Sequence, residues 1–458
     1  MSNHLRIASS PPLFIEHGAN AGAGVGYHAR KEENNGRGHD RACAIIRFMN
    51  RVVVTGIGAV TPLGPSFAET WTGVRAGRSG IVPITSFDVS DIPWKVAGVV
   101  KNFLASDYLD HKEIVRLDPF VHYAVAAASM ALADAGLTGD RILKSSGVVI
   151  GSSRGGIGTI EAALRRGFAP AVHRRRPRMS AYVMPATTIS MAASAVAQKF
   201  GIAGYCLGIS NACASGMAAL GEAFRAIKFG YRYPILCGGT EAPLCRTCLE
   251  GYGAAGALSR RNDSTASRPF DRTRDGFVLS EGACVLVLEP YESALARGAA
   301  IYGELIGYGN TTDAYHQTVP SAEGEARAIL AALAEAGLSR RDIHLISAHG
   351  TSTPLGDRTE TEAIKRAFGD GAYSIAVTAV KSATGHMLAA SGSLEAAVTL
   401  MSLREGVAPP TLHLRERDPA CDLDYVIGER RGNWEHALAQ SFGFGGVNAV
   451  VVFRRFAA

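Results

Sequence analysis

The chain has 458 residues, 47% of them hydrophobic and 19% charged, a balance that suits a well-packed globular protein and excludes a disordered one. Its formal net charge of +6 comes without a long Lys/Arg tract or an aromatic-interleaved basic stripe, which argues against nucleic acid and leaves an acidic protein as the fitting partner. No apolar run is long enough to span a bilayer, and the eight cysteines lack framework spacing, so a reduced, cytoplasmic setting is expected.

Residues 1–48 mix Gly, His, Arg, Glu and Asn, with no apolar h-region and no cleavage pattern. They read as a disordered or loosely attached extension rather than a signal peptide. Met49 then precedes a sharp strand pattern, Arg51-Val-Val-Val-Thr-Gly-Ile-Gly. The chain beyond is too long for one simple core, so two halves are expected, residues 49–300 and 301–458.

Internal repetition supports that division. Ala131-Leu-Ala-Asp-Ala-Gly-Leu137 ends an amphipathic helix, and Ala332-Leu-Ala-Glu-Ala-Gly-Leu338 does so again, each with Gly where a C-cap belongs. A buried strand follows each, Gly147-Val-Val-Ile-Gly-Ser-Ser and His344-Leu-Ile-Ser-Ala-His-Gly. Ser215-Gly216 opens a small-residue helix running to Gly230, and Ser391-Gly392 opens a matching one running to Gly406. Small residues at both helix starts imply tight packing at the centre of the molecule. Alternating strands and helices in both halves predict an α/β protein with an α/β/α/β/α arrangement of layers.

Cys213 lies at a strand-to-helix junction, in Gly208-Ile-Ser-Asn-Ala-Cys-Ala-Ser-Gly-Met. Free N–H groups at a helix start lower a thiol's pKa, so a reactive thiolate is expected there. A lone cysteine in such a place is more often structural. Two histidines change the balance: His349, in Ser347-Ala-His-Gly-Thr-Ser-Thr-Pro-Leu-Gly-Asp357, and His386, in Val380-Lys-Ser-Ala-Thr-Gly-His. The repeat places His386 on the helix that matches the helix of Cys213, so the three side chains converge. A Cys/His/His zinc site is the rival reading, and it needs a fourth ligand or an open position. Cys245 and Cys248 form a C-x-x-C pair with no second pair after it, and two small buried residues are the plainer account.

Four strings in family order, Asn211-Ala-Cys-Ala-Ser-Gly, His349-Gly-Thr-Ser-Thr-Pro-x-Gly-Asp, Lys381-x-x-x-Gly-His and Ser441-Phe-Gly-Phe-Gly-Gly-Val-Asn448, resemble the β-ketoacyl-[acyl carrier protein] synthases, the synthase II branch most of all. The resemblance runs from about Arg51 to the C-terminus and includes Asp313-Ala-Tyr-His-Gln-Thr318. It implies a thiolase-like fold with duplicated halves, a homodimer or a heterodimer with a related subunit, no metal and no cofactor. It also implies condensation of a Cys213-bound acyl group with malonyl-[acyl carrier protein], in fatty-acid or polyketide-type elongation. His349 and His386 would assist loss of CO₂, and Lys381 and Glu395 would organise His386 and its surroundings. The N–H groups of Cys213 and Phe444 would form the oxyanion hole, with Phe444 also a gate. Thr318, Thr351, Thr353 and Phe442 would contact the acyl and malonyl thioester substrates. Lys112, Arg116, Arg178 and Arg261 would meet the acidic carrier protein.

One departure bears on substrate. Arg154 occupies a place where the resemblance leads one to expect an apolar residue at the acyl pocket. A guanidinium beside a bare alkyl chain is costly unless paired, which turns the expectation toward shorter, polar or polyunsaturated chains. A non-decarboxylating thiolase would need a second cysteine in the C-terminal glycine loop, which reads Gly443-Phe-Gly-Gly-Val-Asn. A non-catalytic chain-length-factor subunit would lack the nucleophile, whereas Cys213 and both histidines are present.

Overall fold

The computed structural model describes residues 49–167 and 179–457, so the expected extension and Arg178 lie outside the described residues. The first half of the fold contributes strands β1 (Val52–Val60), β2 (Gly147–Gly151), β3 (Cys206–Ile209), β4 (Ile235–Glu241) and β5 (Gly282–Pro290). The second contributes β6 (Gly303–Thr312), β7 (Leu345–Ser347), β8 (Ala376–Thr378), β9 (His436–Gly443) and β10 (Val447–Arg455). Their order is β3-β2-β4-β5-β1 and then β6-β10-β9-β7-β8, so each strand of one half has a counterpart in the other. Directions match as well. β2 runs parallel to β3 and β4, as β7 does to β8 and β9, while the remaining neighbours within each half are antiparallel. The two sets join where Val52–Val54 pair with residues 303–305.

Helices complete the layers. On one face, α1 (Pro119–Asp134) and α2 (Met191–Phe200) cover the first set of strands. α1 starts on Asp118, whose carboxylate accepts from Phe120 N at 3.0 Å, with Pro119 in the first turn. It stops before Gly136, which takes φ +66°. α3 (Ser215–Lys228) and α7 (Ala389–Glu405) pack against each other between the two sets of strands. On the far side, α5 (Ala322–Ala336) and α6 (Pro354–Phe368) cover the second set, and α5 ends at Gly337 with φ +67°. Five layers result, as expected.

α7 begins at Ala389, two residues earlier than the sequence pattern indicated, and nearly all its residues are buried. A helix enclosed on all sides has no polar stripe to mark its start. The small residues at its contact with α3 have a measurable reason: a Cβ on Gly216 would stand 2.2 Å from the Ala389 carbonyl oxygen. Gly216→Ala should therefore destabilise the protein by about 1–3 kcal/mol through overpacking. A urea midpoint equal to that of the wild type would refute this account of the helix contact.

Candidate active site

β3 delivers the chain to a tight turn before α3. Ala212 sits there at φ +47°, a left-handed conformation rare for a residue with a side chain. Asn211 N–H donates to Ser215 Oγ at 2.8 Å, and Ser215 Oγ donates to Ala212 O at 2.6 Å. The second half repeats the device. Leu388 has φ +45°, and Met387 N–H donates to Ser391 Oγ at 2.9 Å just inside α7. Each strained residue costs about 1–3 kcal/mol and persists because the surrounding bonds hold it. In the first half this turn carries Cys213, which is 9% exposed.

The second half supplies the imidazoles. His349 follows β7, and His386 stands between the short helix Lys381–Thr384 and α7, not on α7 itself as the repeat suggested. The two rings lie 5.4 Å apart, centroid to centroid, and nearly perpendicular. Lys381 Nζ donates to His349 Nδ1 at 3.1 Å, to His349 O at 2.5 Å and to Glu395 Oε1 at 2.5 Å. The direct bonds of Lys381 thus go to His349, and it reaches His386 only through its charge. His386 Nδ1 instead meets Ser391 Oγ at 3.2 Å. Ser391 Oγ also accepts from Met387 N–H and so ties the His386 ring to the start of α7. With Nδ1 accepting from an ammonium group, the ring proton of neutral His349 resides on Nε2.

Electrostatics keep both rings neutral. Burial first, then Lys381, then His386 hold His349 well below the usual histidine range. Burial and then Lys381 do the same for His386. Burial pushes the Glu395 carboxyl up to about 8, opposed by Lys381. The nucleophile departs from expectation. Burial pushes the Cys213 thiol up to about 11, outweighing Lys381, Arg154 and the Phe444 N–H, all of which favour the thiolate. The resting sulfur is a thiol.

A cavity of about 410 Å³ unites these groups. Cys213, His349 and His386 line it together, as do Thr318, Thr351, Thr353, Phe442 and Phe444. Thr353 also caps α6, accepting from Gly356 N at 3.1 Å. Lys381 and Glu395 stand behind the histidines. Arg154 does not line the cavity. Its Nε donates to the Tyr252 hydroxyl at 2.8 Å, and it is Tyr252 that forms part of the wall. Lys112 and Arg116 border a separate cleft with Tyr182 and Lys199, and Arg261 hydrogen-bonds Thr265 Oγ1 at 3.1 Å on an exposed stretch. Among the described residues no cluster of three or more His, Cys, Asp or Glu could hold a metal ion.

Sequence reasoning missed Ser391, Tyr252 and Glu360. Ser391 was within reach, because it matches Ser215 in the repeat. Glu360 accepts from the N–H groups of His349 at 2.6 Å and Gly350 at 2.8 Å and so fixes the His349 turn, but nothing in its helical surroundings marks it. Tyr252, on α4 (Arg246–Ala254), belongs to no motif that was singled out.

Two family models match the chain, "Beta-ketoacyl synthase, N-terminal domain" over residues 49–294 and "Beta-ketoacyl synthase, C-terminal domain" over residues 302–415. The chain is 46% identical over 412 residues to a 3-oxoacyl-[acyl-carrier-protein] synthase 2 of Synechocystis sp., covering 89% of this chain and 98% of that protein. It is 43% identical to the enzyme of the same name in Staphylococcus aureus, covering 89% and 99%. Among solved structures, the ishigamide ketosynthase/chain length factor is similar with TM-score 0.84 and 35% identity, covering 89% of this chain and all of that one. A type II polyketide ketosynthase in complex with its acyl-carrier protein and bound to the hexaketide gives TM-score 0.81 and 34% identity, with the same coverage. The fold and the comparisons define a thiolase-like condensing protein. The chain belongs to the beta-ketoacyl synthase family.

Because the resting sulfur is a thiol, iodoacetamide labelling of Cys213, followed by peptide mass spectrometry, should climb with pH toward about 11. A plateau reached near neutrality would contradict the buried-thiol assignment.

Proposed function

We propose that the protein joins an acyl group, held as a thioester on Cys213, to a malonyl unit on an acyl carrier protein, with loss of CO₂. The observation that carries this reading is the meeting of a thiol and two neutral imidazoles, one held by Lys381, in a single buried cavity. In the first step Cys213 attacks the acyl thioester, and its proton leaves with the departing carrier thiol. In the second, the malonyl C–C bond breaks, CO₂ departs and the electron pair becomes an enolate. The ring N–H groups of His349 and His386 stabilise the enolate oxygen in a water-poor site. The enolate carbon then attacks the Cys213 thioester. The N–H groups of Cys213 and Phe444 hold the tetrahedral oxyanion, and the C–S bond breaks.

The carrier protein as partner is supported by the polyketide ketosynthase solved with its own carrier. Lys112, Arg116, Arg178 and Arg261 are the cations proposed to steer it. Thr318, Thr351, Thr353 and Phe442 line the route proposed for the thioester arm. The protein is proposed to act in the cytoplasm, as a homodimer or paired with a related subunit. The name of the ishigamide pair keeps in view the reading of a non-catalytic chain-length subunit. Retention of Cys213 and both histidines favours the catalytic one.

Incubation with a radiolabelled acyl-carrier thioester decides between them: stable label on Cys213 supports the enzyme, and an unlabelled protein supports the subunit. His349→Ala should lower condensation by about 10²–10³-fold while acyl transfer to Cys213 persists. Equal loss of both steps would remove the enolate role. Arg154, tied to the Tyr252 wall, is proposed to limit the acyl chain. Arg154→Ile should lengthen the products in chain-length profiling, and unchanged profiles would dismiss the idea.

A further inference from the structure

The reaction proposed above consumes a proton that none of the assigned residues supplies. When the C–S bond of the acyl-enzyme breaks, the electron pair stays on sulfur, and the Cys213 thiol re-forms only when that sulfur takes up H⁺. Both imidazoles are neutral, and their N–H groups are already engaged in the enolate role. A protonated acid on the same cavity can serve as the donor.

Glu325, in the first turn of α5, is such a group. It lines the cavity with Cys213, His349 and His386, yet it is 1% exposed. Its Oε2 has no hydrogen-bond partner among the described residues. The two acids near it are equipped differently. Glu360 accepts from His349 N–H, Gly350 N–H and Gln440 Nε2. Asp313 accepts from Asn448 Nδ2 at 2.7 Å and from Ser321 N–H at 3.0 Å. Hydrogen bonds of this kind stabilise a carboxylate, and Glu325 lacks them. Burial first, then Glu360 and Asp313, push its carboxyl well above the usual carboxylate range. Burial raises the Glu360 carboxyl too, but of the three only Glu325 has a buried carboxyl oxygen without a hydrogen-bond partner among the described residues.

We propose that Glu325 is the acid that returns a proton to the Cys213 sulfur at the end of condensation, across water in the cavity. This inference rests on the condensation reading. The step balances: Glu325 COOH and Cys213 S⁻ become Glu325 COO⁻ and Cys213 SH, and solvent then restores the acid. Burial raises both groups, so each rests protonated, and it is the sulfur released by C–S cleavage that takes up the proton. The carboxylate left beside Asp313 and Glu360 is unfavourable, which drives reprotonation before the next cycle.

Glu325→Gln separates proton donation from mere hydrogen bonding, since the amide keeps the size and an N–H donor but has no acidic proton. In the full-length protein with acyl- and malonyl-carrier substrates, Glu325→Gln should acylate Cys213 at the wild-type rate and keep its KM for malonyl-carrier. Its kcat for condensation should fall by about 10²-fold. Glu325→Ala should fall equally and recover in formate buffer, the more so as pH falls, because the neutral formic acid fits the space vacated and is the species that carries a proton. Wild-type kcat in Glu325→Gln, a parallel loss of acylation, or no recovery with formate would each overturn the proposal. Failure of the wild-type protein to acylate Cys213 would instead sink the condensation reading on which it rests.

Discussion

A buried ammonium group governs this site. Lys381 is 1% exposed and is bonded at once to a ring nitrogen, a carbonyl and a carboxylate. Removing one partner of such an arrangement leaves an uncompensated buried charge, which typically costs about 3–5 kcal/mol. The arrangement is therefore self-locking. By occupying Nδ1 of His349 with a positive donor, it fixes the tautomer and suppresses a second charge on the ring. His386 is kept neutral by burial and by the same ammonium at longer range, and Ser391 Oγ holds its ring. The result is two imidazole donors that stay uncharged in a cavity whose nucleophile also rests neutral, so every charge that forms during the reaction forms among prepared dipoles.

The doubled architecture explains how this is assembled. Each half brings a central helix to the middle of the molecule after a strained turn, and close contact of α3 with α7 sets the spacing between the turns. One half contributes the sulfur and the other contributes both histidines. Neither half contains a site alone.

Much of this was legible in the sequence. The helix ends at Gly136 and Gly337, the small residues where α3 meets α7 and the strand-to-helix setting of Cys213 all followed from short-range pattern. The convergence of Cys213, His349 and His386 followed from the repeat. What failed depended on distances that no pattern carries. That Lys381 bonds His349 directly is not legible, because the reach of Nζ is decided by how its short helix lies beside β7. The thiol's state was misjudged because a helix start and burial act in opposite directions, and only the folded surroundings show that burial wins. Arg154 was placed at the acyl pocket, whereas its pairing with Tyr252 sets it one residue behind the wall.

The turn before α7 also instructs the reading of strain. Leu388 bears the same left-handed backbone as Ala212, but the residue that follows it, Ala389, ends in a methyl group and is fully enclosed. The distortion is thus a property of the entry to a central helix, present whether or not the next residue carries a reactive atom. Chemistry has borrowed a bend that the architecture already required, and in this fold a twisted backbone alone does not mark a reacting centre.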